Sequence, residues 1–279
     1  MEPVYVRRSS GGGKGRLIIA FIMALVAIAG YYGTRSFNPV TQEVQHVDIS
    51  PAQEVALGLQ AAPEMAQQYG GVSSDPQARQ LVDRVCHELV AQTDAKDTPY
   101  RYDCHVLADE ETINAFALPG GQVFITAGLL SKLKTEGQLA GVLGHEIGHV
   151  VARHGAAQIA KARLTQGLTG AAVIATYDPN DPSSRRNAAV AALIGQLVTM
   201  RFSRQDELQA DRLGVRLMSE AGWDPHAMIE LMRILEQAAG GGRQPEFFST
   251  HPNPANRVTN IEAAIQERFP QGVPAGLKS

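Results

Sequence analysis

The chain has little net charge, few aromatic residues and only two cysteines in 279 residues. A formal charge of −3 offers no basic surplus to a phosphate backbone, which argues against a dedicated nucleic-acid binder. Neither cysteine directly follows the apolar N-terminal run, which argues against a lipoprotein anchor. No internal repeat is present, so substrate selection by a helical-repeat module is not expected. Lysine and arginine are missing from residues 36–78. Long apolar runs are scarce too, and the one that approaches the length of a membrane span is N-terminal.

That run extends from Leu17 to about Tyr32, behind Arg7, Arg8, Lys14 and Arg16. Basic residues before it and their absence after it place the N-terminus in the cytoplasm and the remainder across the membrane. Tyr31 and Tyr32 suit the membrane interface. The run reads as an inner-membrane anchor that leaves the rest in the periplasm. Ala27-Ile28-Ala29 before Gly30 also resembles a signal-peptidase site, and cleavage there would leave a periplasmic protein. The expected organisation is a basic segment over 1–16, an anchor or signal over 17–33, a linker over 34–50, one domain over 51–270 and a tail over 271–279.

Within that domain, Ser50-Pro51 opens a helix, since Ser caps well and Pro suits the first position. A helix over about 76–92 carries Cys86, and a strand near 100–107 carries Cys104. In an exported protein the two form a disulfide or remain two buried thiols. Residues 114–118 and 122–126 are apolar and β-rich and flank Pro119-Gly120-Gly121, which reads as a hairpin. Residues 166–200 hold two Gly/Ala-rich apolar stretches, each too short to span a bilayer, and read as a helical pair with the character of a gate. The Ala238-to-Gly242 stretch is a second hinge candidate.

The most informative segment is HEIGH, residues 145–149. Thr135-Glu136-Gly137-Gln138 reads as a capping box, and an apolar helical pattern runs from it toward Gly155. His145 and His149 are one turn apart and project from one face, as two ligands of one zinc ion must. Glu146 then acts as general base on a zinc-bound water. Glycines at 141, 144 and 148 cost the helix roughly 1 kcal/mol each against Ala and imply a close neighbour.

A catalytic zinc needs a third protein ligand. A second helical segment around 203–218 offers Glu207 and Asp211, again one turn apart. Glu207 is assigned as the third ligand. Asp211 is expected to accept the outer N–H of a ligating His and fix its tautomer. Ala152 and Gly155 stand where a metzincin would carry Gly and His, so that pattern is excluded. His154 falls off the ligand face and reads as a cation near a helix C-terminus.

The order of five segments resembles peptidase family M48 over roughly residues 50–270. These are residues 114–121, residues 128–130, HEIGH, Ser203-Arg204 leading to Glu207 and Asp211, and Ser249-Thr250-His251-Pro252 with Arg257. The likeness is to the branch with one soluble domain, which contains envelope and mitochondrial quality-control proteases, rather than to the polytopic branches. It implies an α+β fold: a mostly helical gluzincin-type metallopeptidase domain, a small sheet or hairpin beside the active-site helix, and one N-terminal membrane helix. It implies one Zn2+ per chain, with His145, His149 and Glu207 as ligands and Glu146 as base. It further implies that His251 and Arg257 lie near the active site as catalytic residues. The residues themselves allow His251 to stabilise an oxyanion, cap the metal or be an ordinary loop histidine, and Arg257 to form a structural ion pair. Asn114, Ala115 and Phe116 become the edge on which a substrate strand is held. The function that follows is zinc-dependent endoproteolysis of polypeptides, most simply misfolded envelope proteins. The alternative is a chaperone-like or assembly factor that binds exposed strands with little proteolysis.

Overall fold

The structure is a computed structural model and describes residues 12–176, 202–240, 245–252 and 256–279. These residues fall into two units. The first takes in the described parts of Met1–Ser36, Val44–Asp48 and Ala157–Met200, and the second those of Phe37–Glu43, Ile49–Ala156 and Arg201–Ser279.

The first unit is built on α1 (Gly12–Gly33) and the greater part of α6 (His154–Thr176). Most of the apolar side chains of α1 are exposed, Phe21 and Val26 to more than 60%. Of the expected helical pair over 166–200, residues 177–200 lie outside the described residues. The remainder is the end of α6, which starts far earlier than the composition suggests. Residues 241–242 of the second hinge candidate also lie outside them.

The second unit surrounds one buried helix, α5 (Glu136–Val151). Before it come α2 (Pro51–Gln68), α3 (Pro76–Ala91), the strands β3 (Asp103–Leu107), β4 (Ala115–Ala117) and β5 (Gln122–Thr126), and the single turn α4 (Ala127–Leu130). After it come α7 (Arg204–Glu220), α8 (Ala227–Ala239), α9 (Phe247–Thr250) and α10 (Arg257–Arg268). Two short strands, β1 (Arg35–Asn38) and β2 (Glu43–His46), precede α2. Local chemistry explains the starts. Ser50 and Gln53 cap each other at the head of α2, whose first residue is Pro51. Asp75 accepts from two backbone N–H groups at the head of α3. Thr135 caps α5 by accepting from the Gln138 N–H. The Gln138 carboxamide reaches one residue further back than a capping box requires, to the Lys134 N–H at 2.7 Å.

The three-stranded sheet has the order β3-β5-β4. β5 runs parallel to β3 and antiparallel to β4, with Phe116 opposite Phe124. The expected hairpin is therefore present, and β4 is an edge strand. Gly120 makes its turn at φ +87°, and a Cβ there would lie 2.4 Å from the Val55 Cα of α2. Cys86 of α3 and Cys104 of β3 form a disulfide, with Cα atoms 6.3 Å apart.

Every residue of α5 from Gly137 to Val151 is buried. The glycines are explained by neighbouring helices. A Cβ at Gly148 would sit 3.1 Å from the Ala210 carbonyl of α7, and one at Gly214 would sit 3.3 Å from the His145 backbone nitrogen. Small residues on both helices let the two backbones approach, which brings the side chains of α5 and α7 to one point.

Candidate metal centre

His145 and His149 leave α5 one turn apart, with their Nε2 atoms 3.1 Å from each other. Glu207, in the first turns of α7, reaches the same point: Oε2 is 3.5 Å from His145 Nε2 and Oε1 is 3.5 Å from His149 Nε2. A fourth donor comes from the loop after α9. His251 Nδ1 lies 3.1 Å from Glu207 Oε1 and 3.5 Å from His145 Nε2. Donor atoms of the four residues all lie within 4.8 Å of one another, and all four side chains are buried. Donors bound tetrahedrally at about 2.0–2.1 Å from one ion stand about 3.3–3.4 Å apart. The observed separations match that spacing, so these residues fit a metal ion of zinc's size and ligand preference.

Asp211 lies behind the donors. Its Oδ1 is 3.0 Å from His145 Nδ1, on the side of the ring away from the cluster. Arg257, the first residue of α10, grips the same carboxylate with two hydrogen bonds of 2.7 Å. Its Nη1 also stands 3.4 Å from Glu207 Oε2. Arg257 is buried, so this is an internal ion pair joining α7 to α10. Residues 253–255 of the loop between His251 and Arg257 lie outside the described residues.

Glu146 points into the same space. It is buried, neither carboxylate oxygen has a hydrogen-bond partner among the described residues, and Oε1 is 3.5 Å from His251 Nε2. A buried carboxylate without protein donors is costly unless something else meets it. A water or a substrate group at the cluster would do so.

The charges follow from burial and neighbours. Burial alone would lower His145, but Asp211 and Glu207 outweigh it and hold its imidazolium up to about 9. His149 goes the other way: burial, aided by its histidine neighbours, drives it well below its ordinary value against the pull of Glu207. Glu146 is pushed up by burial. Glu207 and Asp211 resist burial and are held down, Glu207 chiefly by His251 and His145, Asp211 by Arg257.

His154 is not the cation near a helix C-terminus expected from its position. α5 ends at Val151, Arg153 turns through φ +59°, and His154 begins α6. It is buried, its Nδ1 is 2.8 Å from His149 Nδ1, and its Nε2 is 2.8 Å from Gln209 Oε1. Burial lowers its pKa, so it is neutral and orients the His149 ring. The helix break between 151 and 154 turns it back, which counting along an unbroken helix cannot anticipate.

Two aromatic walls also escaped the sequence reading. Phe202, just before α7, stacks on His149 with centroids 4.1 Å apart, and Phe247 stacks on His251 at 4.4 Å. The Phe202 N–H donates to the Thr250 carbonyl. Neither residue belongs to a recognisable pattern. A short cleft lined by Ala117, Leu118, Arg153 and Phe202 leads from β4 to His149.

The strand residues divide by backbone direction. Asn114 and Leu118 bond to Thr126 and Gln122 of β5, so by alternation Phe116 does so as well. Ala115 and Ala117 therefore turn their N–H and C=O groups to the side away from β5, where Ala115 is buried and Ala117 half-buried. Phe116 packs its ring on Phe124 and Tyr69, and the Asn114 Nδ2 donates to the Tyr69 hydroxyl.

The model of Peptidase family M48 matches residues 76–265 of this chain. The mitochondrial metalloendopeptidase OMA1 of Schizosaccharomyces pombe is 34% identical over 88% of this chain and 71% of its own length. The beta-barrel assembly-enhancing protease of Escherichia coli K12 is 32% identical over 72% of this chain, which spans only 41% of that relative. The bovine mitochondrial metalloendopeptidase OMA1 is 34% identical over 58% of this chain and 32% of its own length. With the family match covering most of the domain built around α5 and α7, the chain belongs to peptidase family M48, a family of metal-dependent peptidases.

Proposed function

We propose that this chain is a membrane-anchored zinc endopeptidase that cuts misfolded polypeptides in the bacterial envelope. The observation that carries the reading is the convergence of His145, His149 and Glu207 beside a buried carboxylate, Glu146, with no hydrogen-bond partner among the described residues. Zinc held by those three residues would supply Lewis acidity, polarising a carbonyl and making a water easier to deprotonate. Glu146 takes the proton of the attacking water as the water oxygen bonds to the scissile carbon. It then delivers that proton to the leaving amine as the C–N bond breaks. Asp211 holds the His145 Nδ1 proton, which leaves Nε2 facing His149 and Glu207, and Arg257 holds Asp211. Ala117, and Ala115 once uncovered, would offer main-chain groups to an extended substrate, a mode that gives affinity with little sequence preference.

The location rests on α1, the one described helix long and apolar enough to cross a membrane. The distribution of lysine and arginine supports a periplasmic catalytic domain, and the Cys86–Cys104 disulfide supports an oxidising compartment. The name of the Escherichia coli relative supports a role in envelope protein maintenance.

A second reading has one observation in its favour. His251 gives the cluster a fourth protein donor, and four protein ligands close a structural site. On that reading the chain binds exposed strands and keeps its metal for structure. The test is casein cleavage by the purified full chain in detergent, with metal analysis, beside Glu146→Gln. One zinc per chain in both proteins, with cleavage reduced about 10²–10⁴-fold in the variant, is the expected result. Equal cleavage by both would remove Glu146 as base, and bound zinc with no cleavage by either would favour the binding protein.

A further inference from the structure

We infer that α6 enters the bilayer beside α1, so that the membrane contact of this chain is a helix pair whose outer face meets lipid acyl chains. The inference rests on the reading of α1 as an anchor and deepens it. Charge along α6 stops at Arg163, and residues 164–176 carry none. Three contacts fix their depth. A Cβ at Gly167 would lie 2.7 Å from the Ala27 Cβ, and one at Gly170 would lie 3.7 Å from the Met23 Cε. Nearer the start of α6, Ala160, Arg163 and Leu164 line one cleft with Gly30, Tyr31 and Thr34. The two helices therefore run antiparallel, and residues 164–176 descend alongside the apolar part of α1.

The level of entry is marked independently. Arg163, the last charged residue of α6 before residue 177, pairs with Asp48 at 2.5 Å. That pair lines the same cleft as Tyr31, which stacks on His46. Charged and amphipathic side chains thus meet where α1 leaves its apolar run, as at a membrane–water boundary. Below that level the surface changes character along one stripe of α6. Lys161 is exposed above it, and Leu168 and Ala172 are exposed below it. On α1, Phe21, Ile22, Leu25 and Val26 are exposed as well. A helix satisfies its own backbone, so this half of α6 can face hydrocarbon. Its seam with α1 sets Gly167 against Ala27 and Gly170 against Met23, and small residues of this kind let helices associate where no water drives them together. At 1.5 Å per residue, residues 164–176 reach about 20 Å, short of the roughly 30 Å hydrocarbon core. Alone they would not span it, and against α1 they need not.

Both native cysteines are in the disulfide, so single added cysteines can be spin-labelled selectively in the full chain. Leu168→Cys, Ala172→Cys, Lys161→Cys and, on α1, Val26→Cys would be labelled and reconstituted into phosphatidylcholine–phosphatidylglycerol vesicles. Accessibility to oxygen and to a water-soluble nickel chelate would then be compared. The expected result is oxygen-dominated relaxation at 26, 168 and 172, deeper at 172 than at 168, and nickel-dominated relaxation at 161. Oxygen at 26 with nickel at 168 and 172 would overturn the inference and leave the anchor standing. Nickel at all four positions would remove the anchor itself. Labels at 168 and 172 shielded from both reagents would overturn the inference in favour of a protein partner on that face.

Discussion

At the scale of single residues, the site is a set of ionisable groups whose charges are assigned by their neighbours. His145 is held as a cation by Asp211 and Glu207, whereas His149 is neutral. A ligating imidazole nitrogen must be free of its proton, so metal entry has to displace one from His145. Zinc binding at pH 7 is therefore expected to release about one proton, and affinity should rise with pH until about 9, where His145 is already half neutral. Calorimetry of the metal-free protein in buffers of different ionisation enthalpy reads that proton directly, and zinc uptake without proton release would contradict the assignment. His251 is a second case. If its place among the donors makes it a fourth ligand, the site would be closed and removing it should open the site. His251→Ala is expected to keep the metal and raise casein cleavage about tenfold, the size of effect that a closing bias of about 1.4 kcal/mol produces. A fall of a hundredfold would instead assign His251 to stabilisation of the oxyanion. Arg257 belongs to the framework. Arg257→Met leaves the buried Asp211 carboxylate without its main partner and should cost about 3–5 kcal/mol of folding stability, seen as a lower urea midpoint at unchanged m-value.

At the scale of elements, the close approach of α5 and α7 sets the site, and the turn between β4 and β5 sets the edge beside it. Gly120 tests the second. With φ at +87° and the Val55 Cα where its side chain would go, Gly120→Ala meets both a strained backbone and an immovable neighbour. A loss of about 2–3 kcal/mol is expected, read as a lower midpoint in denaturant unfolding, because the turn or α2 must shift to admit the methyl group. The disulfide is another element-scale constraint. It closes a separation of 18 residues between α3 and β3, which corresponds to about 3 kcal/mol by chain entropy. The Cys86→Ala/Cys104→Ala protein should unfold at correspondingly lower urea with its casein cleavage largely intact. Much of this framework was readable beforehand because it depends on local chemistry. The Ser50 and Thr135 caps, the Pro119-Gly120-Gly121 turn and the one-turn spacings of His145 with His149 and of Glu207 with Asp211 all act within a few residues. What escaped depends on tertiary placement. His154 faces His149 because the chain breaks helix at Arg153, and Phe202 and Phe247 wall the site through packing that no short pattern announces. The pairing of Cys86 with Cys104 needed a Cα separation that only the fold supplies.

At the scale of the whole molecule, the question is which side of a membrane the metal centre faces. The basic residues at 7, 8, 14 and 16 and the basic-free stretch over 36–78 both favour a cytoplasmic N-terminus, and the disulfide favours the same topology. A permanent anchor and a cleaved signal share that orientation but differ in what remains bound to the membrane. The seam between α1 and α6 favours the anchor, because cleavage after Ala29 would remove Met23 and Ala27 and expose Gly167 and Gly170. The chain is therefore expected to stay with membranes through carbonate extraction and to keep its N-terminal residues. In cells with a permeabilised outer membrane, added protease should reach the catalytic domain while an N-terminal tag stays protected. A soluble mature protein beginning at Gly30 by mass spectrometry would select the cleaved form. Protection of the catalytic domain together with digestion of the tag would reverse the topology, and with it the case for an envelope substrate.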